Sequence, residues 1–213
     1  MTSCRVGIIP AAGRAERFGG VTKDLLPLPD GRPLLAHAVE RLSFCDRVVV
    51  VSNAFKAPLH RVHAQGRVTI TRQRGSGMWG AIKSAMNAYE ADQYYMTMPD
   101  TWMQPDCFAG VPDCDFAYGY FLTNTPERFG VLHGRRFVDK PKAVATPAVA
   151  WAVLTWSKRI RNLWNDLQPV DYTEAINLAI EESKGCHWVV GPYFDCANMS
   201  RYMELLDYLR GAK

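Results

Sequence analysis

Four short apolar runs in the first hundred residues, with helical patterns between them, constrain this chain more than any other feature. The runs are Val6 to Pro10, Asp46 to Asn53, Arg67 to Arg72 and Tyr94 to Met98. Continuous apolar runs of this length read as strands buried on both faces. Between them lie a helix opened by Pro33, with Leu34, Leu35, Ala38, Val39 and Leu42 on one face, a short helix over Ala57 to Gln65, and a third over Met78 to Glu90. Strand–helix alternation predicts a mostly parallel sheet with helices on its faces. Ligands in such folds bind outside the carboxyl ends of the strands. Residues 12–17 and Asp100 fall at two of those ends.

The second half has a different pattern. Strands are expected at Asp115 to Leu122, at Phe129 to Leu132 and Arg136 to Val138 around a His133-Gly134 turn, at Ala148 to Leu154 and at His187 to Val190. Helices are expected at Ser157 to Leu167, Tyr172 to Ser183 and Met199 to Leu209. No linker or repeat divides the 213 residues, so one domain is expected over 1–213, with a change of style near Asp113. The formal charge of +4 is mild and forms no basic block, which argues against a nucleic-acid partner. No run of about 18 apolar residues predicts a membrane span, and the N-terminus does not read as a secretory signal. The six cysteines form no CxxC pair and read as reduced thiols of a cytoplasmic protein.

The first strand breaks into Ala11-Ala12-Gly13, and the loop beyond carries Arg14, Arg17 and Lys23. A strand ending in a glycine-bearing loop brings backbone N–H groups close to a ligand, and the added cations point to phosphate, here read as a nucleoside triphosphate. The loop has neither the GxGxxG of a dinucleotide site nor the GxxxxGK[ST] of a Walker loop. GRAERFGGVTKDLLPL instead resembles the G-x-G-x-R…P-K-x-L-L-P signature of sugar-phosphate nucleotidyltransferases, with Ala15 for the second glycine, Glu16 for a Thr or Ser, and Thr22 for the proline.

The resemblance continues downstream. Gln73…Gly77 is similar to the family's base-reading segment, and an amide with donor and acceptor suits a pyrimidine edge, favouring UTP or dTTP. Asp100, closing YYMTMPD, and Asp195, in PYFDCANM, resemble the two carboxylates that share Mg2+. Phe129-Gly130-Val131 with Asp139-Lys140-Pro141 resembles the Y-G-V…E-K-P pair that grips the acceptor, and Glu174 matches an acidic position near the sugar.

The resemblance thus implies a Rossmann-like three-layer α/β fold with a mostly parallel mixed sheet and a small acceptor-binding lobe. A nucleotide-binding half, 1–112, would precede an acceptor-binding half, 113–213, that ends in a closing helix. It implies transfer of a nucleotidyl group from an NTP to a sugar 1-phosphate. Arg17 and Lys23 would be catalytic, Ala11, Ala12, Gly13, Arg14, Gln73 and Gly77 would bind nucleotide, and Gly130, Asp139, Lys140 and Glu174 would bind the acceptor. Asp100 and Asp195 would hold Mg2+.

Several alternatives stay open. IIPAAGRAERFGG also resembles the cytidylyltransferase of the methylerythritol phosphate pathway, although MPDTWMQPD stands where that family has HDAARP. A choline-phosphate cytidylyltransferase fits the size. Molybdenum-cofactor guanylyltransferases share the G-G-x-x-K spacing but not the later Lys-Pro motif. An inactive nucleotide-binding regulator is the reading of another class. The sugar, the base and the oligomeric state are not legible, and a homo-oligomer is compatible with the sequence.

Overall fold

The structure, a computed structural model, describes residues 3–13, 22–63 and 68–211. The first half alternates as its apolar runs require: β1 (Arg5–Pro10), α1 (Leu34–Arg41), β2 (Arg47–Ser52), α2 (Ala57–His63), β3 (Val68–Arg72), α3 (Gly77–Ala88) and β4 (Gln93–Thr97). β1 runs parallel to β2 and to β4, and β2 runs parallel to β3. There follow β5 (Thr101–Met103), β6 (Phe116–Thr123), β7 (Gly130–His133), β8 (Arg136–Asp139), β9 (Ala148–Ser157), α4 (Lys158–Leu167), α5 (Tyr172–Ser183), β10 (Cys186–Val189), β11 (Tyr193–Asp195) and α6 (Met199–Leu209).

β9 is antiparallel to both β4 and β6, and it joins the halves into one sheet of order β10–β6–β9–β4–β1–β2–β3. The β7–β8 hairpin is attached to β9 at Val131 and Ala150. The mixed, mostly parallel sheet with helices on both faces agrees with the expected fold class. Among the described residues no helix is long and apolar enough to cross a membrane.

The apolar runs are explained by burial on two faces at once. Val6, Ile8, Val49 and Val51 pack with Trp79 and Ile82 of α3, Trp164 of α4 and Ile176 of α5. Their neighbours Ile9, Val48 and Val50 pack with Leu35 and Ala38 of α1. Each such side chain contributes roughly 1.5–3 kcal/mol when fully buried, so a single charged substitution in these strands would outweigh any local propensity.

Three details depart from expectation. β9 runs on to Ser157, because Thr155 and Trp156 are fully buried. Gly77, expected in a loop, opens α3 with φ +65°, a conformation that favours glycine. β5 and β11 were not expected at all; they form a separate antiparallel pair. The expected ends at Gln65 and Arg67 lie outside the described residues.

Gly119 sits at an irregularity in the β6–β9 register. A Cβ there would lie 2.4 Å from Val190 Cγ1 and 2.5 Å from Val153 Cγ2. Gly119→Ala is therefore expected to destabilise the fold by about 1–3 kcal/mol, read as a lower urea midpoint with an unchanged m-value.

Candidate active site

β1 carries Ala11, Ala12 and Gly13 to the edge of a cavity of about 640 Å3. Arg14 and Arg17, with Ala15 and Glu16, lie outside the described residues. The chain returns to the cavity through a 3-10 turn at Lys23–Leu25.

Two side chains from the β2–α2 connection fix this rim. Asn53 Nδ2 donates to Ala12 O at 2.8 Å, and Lys56 Nζ donates to Ala11 O at 3.0 Å. Lys56 Nζ also lies 2.7 Å from Asp24 Oδ1, while His60 Nε2 stands 2.7 Å from Asp24 Oδ2. Asp24 is 1% exposed and His60 is wholly buried. Burial alone would raise the Asp24 carboxyl; the His60 hydrogen bond and the Lys56 ammonium outweigh it and hold it below the usual carboxylate range. The two ends of the loop are thus tied to α2 by a buried charge cluster. The sequence signal is a charged residue at the head of the apolar stretch KDLLPL.

Gln73 and Gly77 line the same cavity. Gln73 Nε2 donates to Gly75 O at 3.1 Å and to Gly77 O at 2.9 Å. Both amide protons are spent on the loop itself. The expected donor-plus-acceptor reading is corrected: only Oε1 remains to meet a base. Gly80 lets the loop lie against α3, since a Cβ there would come 2.9 Å from the Gly75 carbonyl carbon.

Asp100 and Asp195 are brought together by the β5–β11 pair, in which Asp195 stands opposite Thr101 and Cys196 N donates to Asp100 O at 3.0 Å. Lys23 pairs with Asp100, and Arg128 with Asp195. Burial raises the Asp195 carboxyl, Arg128 opposes this, and the Asp100 charge raises it further. Beneath the turn before β5, Arg41 donates from Nε to Thr97 Oγ1 and from Nη2 to Met98 O and Thr101 O, each at 3.2 Å. Burial brings its guanidinium down to about 10. Arg41 shares the buried stripe of α1 with Leu34, Leu35 and Ala38, a position where a charge is itself a signal.

A second cavity, of about 390 Å3, is walled by Gly130, Asp139, Lys140, Asp100 and Asp195 together with aromatic side chains. Lys140 has φ 47°, uncommon for a non-glycine residue, and its N–H donates to Phe129 O at 2.9 Å. Asn177 of α5 clamps β8, accepting from Phe137 N at 2.7 Å and donating to Phe137 O at 2.9 Å.

Glu174 is a correction. It lies outside this wall, in the first turn of α5, where its carboxylate accepts from Val170 N at 2.7 Å and its own N–H donates to the N-cap Asp171 at 2.9 Å. That is helix capping. Asn198 likewise caps α6 by accepting from Arg201 N at 3.0 Å.

The described residues gather no group of three or more metal-ligating side chains. The pair Asp100 and Asp195 nevertheless suits a hard divalent cation. Two carboxylates share one wall, and Asp195 is raised partly by its neighbour's charge, a repulsion that such a cation relieves.

Asp24→Asn is expected to cost about 3–5 kcal/mol at neutral pH, since it leaves Lys56 buried without its anion. Because the folded carboxyl is held low, this contribution is present above the ordinary carboxylate range and fades as pH falls through the lowered value. Urea unfolding across pH should therefore show the two proteins converging at acid pH.

Residues 7–110 match the family model of the MobA-like NTP transferase domain. That stretch contains the G-G-x-x-K spacing and ends before the β7–β8 hairpin. No curated protein matches the sequence. Solved structures match along nearly the whole chain. A Bacillus anthracis protein described as a glucose-1-phosphate thymidylyltransferase, in complex with sucrose, has TM-score 0.80 at 18% identity, covering 97% of this chain and 96% of that one. The inositol-1-phosphate CTP transferase of T. maritima has TM-score 0.77 at 13% identity, covering 99% and 96%. A UDP-glucose pyrophosphorylase complexed with UDP-glucose has TM-score 0.76 at 16% identity, covering 99% and 100%. At these identities the likeness is one of fold. Residues 7–110 are thus similar to a MobA-like NTP transferase domain, and the whole chain shares the fold of these three solved structures.

Proposed function

We propose that this protein transfers a nucleotidyl group from a nucleoside triphosphate to a sugar 1-phosphate and releases pyrophosphate. One observation carries the reading: the two cavities meet, and Lys23, Met78, Met98 and Asp100 line both. A phosphate oxygen entering from the acceptor side would meet an α-phosphorus held from the other. In-line transfer of this kind needs position and positive charge, and no protein nucleophile.

In this reading residues 1–112 grip the nucleotide and 113–213 the acceptor. Lys23 exchanges Asp100 for the α-phosphate and neutralises charge that develops as the bond breaks. Arg17 holds the departing β- and γ-phosphates, with Arg14 beside it. Ala11, Ala12 and Gly13 offer the rim backbone. Gly130, Asp139 and Lys140 hold the acceptor. When bound by Asp100 and Asp195, Mg2+ supplies charge neutralisation to phosphate oxygens. Gln73 Oε1, its amide protons committed elsewhere, accepts from the N3–H of uracil or thymine, which favours UTP or dTTP. All six cysteines are free thiols, which suits a cytoplasmic setting.

A second reading rests on the acceptor wall. Phe129, Trp151, Tyr172 and Tyr193 stand there with Glu127 and Asp139. Aromatic faces with nearby carboxylates suit a quaternary ammonium. That favours cytidylyl transfer to an alcohol phosphate such as phosphocholine.

The deciding experiment mixes the protein with Mg2+, each NTP and a panel of sugar and alcohol phosphates, and measures pyrophosphate. Release with UTP or dTTP and a sugar 1-phosphate is expected; release with CTP and phosphocholine alone would select the second reading. Lys23→Ala should lower kcat by about 10²–10³-fold while nucleotide affinity falls far less. Asp195→Asn should abolish Mg2+-dependent turnover, and retained activity would remove that carboxylate from the metal.

A further inference from the structure

The two carboxylates at the junction of the cavities are each held by one cation. Lys23 holds Asp100, and the proposed reaction already gives Lys23 a destination in the α-phosphate. Arg128 holds Asp195, and nothing above gives it a destination. Its placement is suggestive. It ends a 3-10 turn at Pro126–Arg128, two residues before Gly130, and its guanidinium lies 5.3 Å over the Phe129 ring. It lines the acceptor cavity together with Gly130 and Lys140. It also borders a separate cavity of about 300 Å3 beside Arg201 and Glu204.

A divalent cation on Asp195 and a guanidinium on the same carboxylate repel each other, so each weakens the other's hold. The incoming acceptor carries a phosphate into the wall where Arg128 already stands. Lys140, a further cation of that wall beside Lys23, is more than half exposed, and its ammonium lies 3.6 Å from Asp139. A guanidinium can grip two phosphate oxygens at once, which a lysine cannot.

We infer that Arg128 is a reserve cation of the acceptor subsite: it neutralises Asp195 until a divalent cation takes that carboxylate, and is then released to the phosphate of the acceptor. The inference rests on the nucleotidyl-transfer reading and adds a residue to it. It makes Asp100–Lys23 and Asp195–Arg128 equivalent pairs, each parking a cation that one substrate collects. It also orders the events, because Arg128 becomes available only after metal has reached Asp195.

The test uses Arg128→Gln and Arg128→Lys in the full chain. In ligand-free protein, Mn2+ is titrated and the free ion followed by electron paramagnetic resonance. Arg128→Gln is expected to bind Mn2+ about three- to tenfold more tightly than wild type, since the competing cation is gone. In turnover, the same variant should raise the acceptor KM about tenfold or more. Its KM for the nucleotide should stay within about twofold, and Arg128→Lys should recover part of the acceptor KM. Opposite movement of metal and acceptor affinity is something a merely structural clamp would not produce. Mn2+ affinity that is unchanged or weaker in Arg128→Gln overturns the inference, as does a parallel rise in both KM values. If wild-type protein releases no pyrophosphate with any pair, the reaction reading fails. The Mn2+ titration, which needs no turnover, then still decides whether Arg128 guards Asp195.

Discussion

The antiparallel pairing of β5 with β11 is the contact on which the candidate site depends. Three opposed residue pairs, Thr101–Asp195, Trp102–Phe194 and Met103–Tyr193, join the middle of the chain to its last quarter. Strands this short have no independent stability. They persist because Trp102 and Phe194 pack on each other and on Tyr208 of α6, over a cluster with Leu205 and Cys196. α6 carries neither carboxylate, yet it buttresses both. Loss of that packing would separate Asp100 from Asp195 before it unfolded the large sheet.

Two buried charges support the site by different means. Asp24 is paired with Lys56 and His60, so its burial cost is offset by opposite charge. Among the described residues Arg41 has no carboxylate partner, and it gives hydrogen bonds to a threonine oxygen and two carbonyls. A guanidinium brought down to about 10 is still charged at neutral pH. It therefore holds the turn carrying Asp100 with charge-assisted hydrogen bonds, worth about 1.5–3 kcal/mol each against roughly 1 for a neutral one. The Ala11–Ala12 rim and the carboxylate turn are in this way both fastened from beneath the surface.

Much of the fold was legible because burial on two faces leaves an unmistakable trace: VVVV in β2 or VGII in β1 admits few other readings. β5 and β11 were not legible, since three residues are too few for a period to show. A carboxylate just beyond the carboxyl end of a strand, as Asp100 is beyond β4, stands out in the sequence. The candidate site is less legible where a residue serves its own backbone. Glu174 caps a helix and Gln73 ties its own loop, and sequence alone does not distinguish such local duties from contact with a ligand. Lys56, Arg41 and Asn177 were missed for a related reason. They act on carbonyls and amides distant in sequence, and only folding brings those within reach.

Gly130 has a further consequence. The Trp151 indole nitrogen lies 2.4 Å from where its Cβ would be, so the floor of the acceptor cavity is set by a tryptophan of β9, the strand that joins the two halves. That floor belongs to the core and cannot change shape without disturbing it. Lys140, Asp139 and Glu127 are exposed or half-exposed and carry no such obligation. If the cavity takes the acceptor as proposed, its choice is free to diverge at the rim while the depth stays fixed, so relatives of this chain should differ in which groups they admit at the mouth more than in how large a group they can swallow.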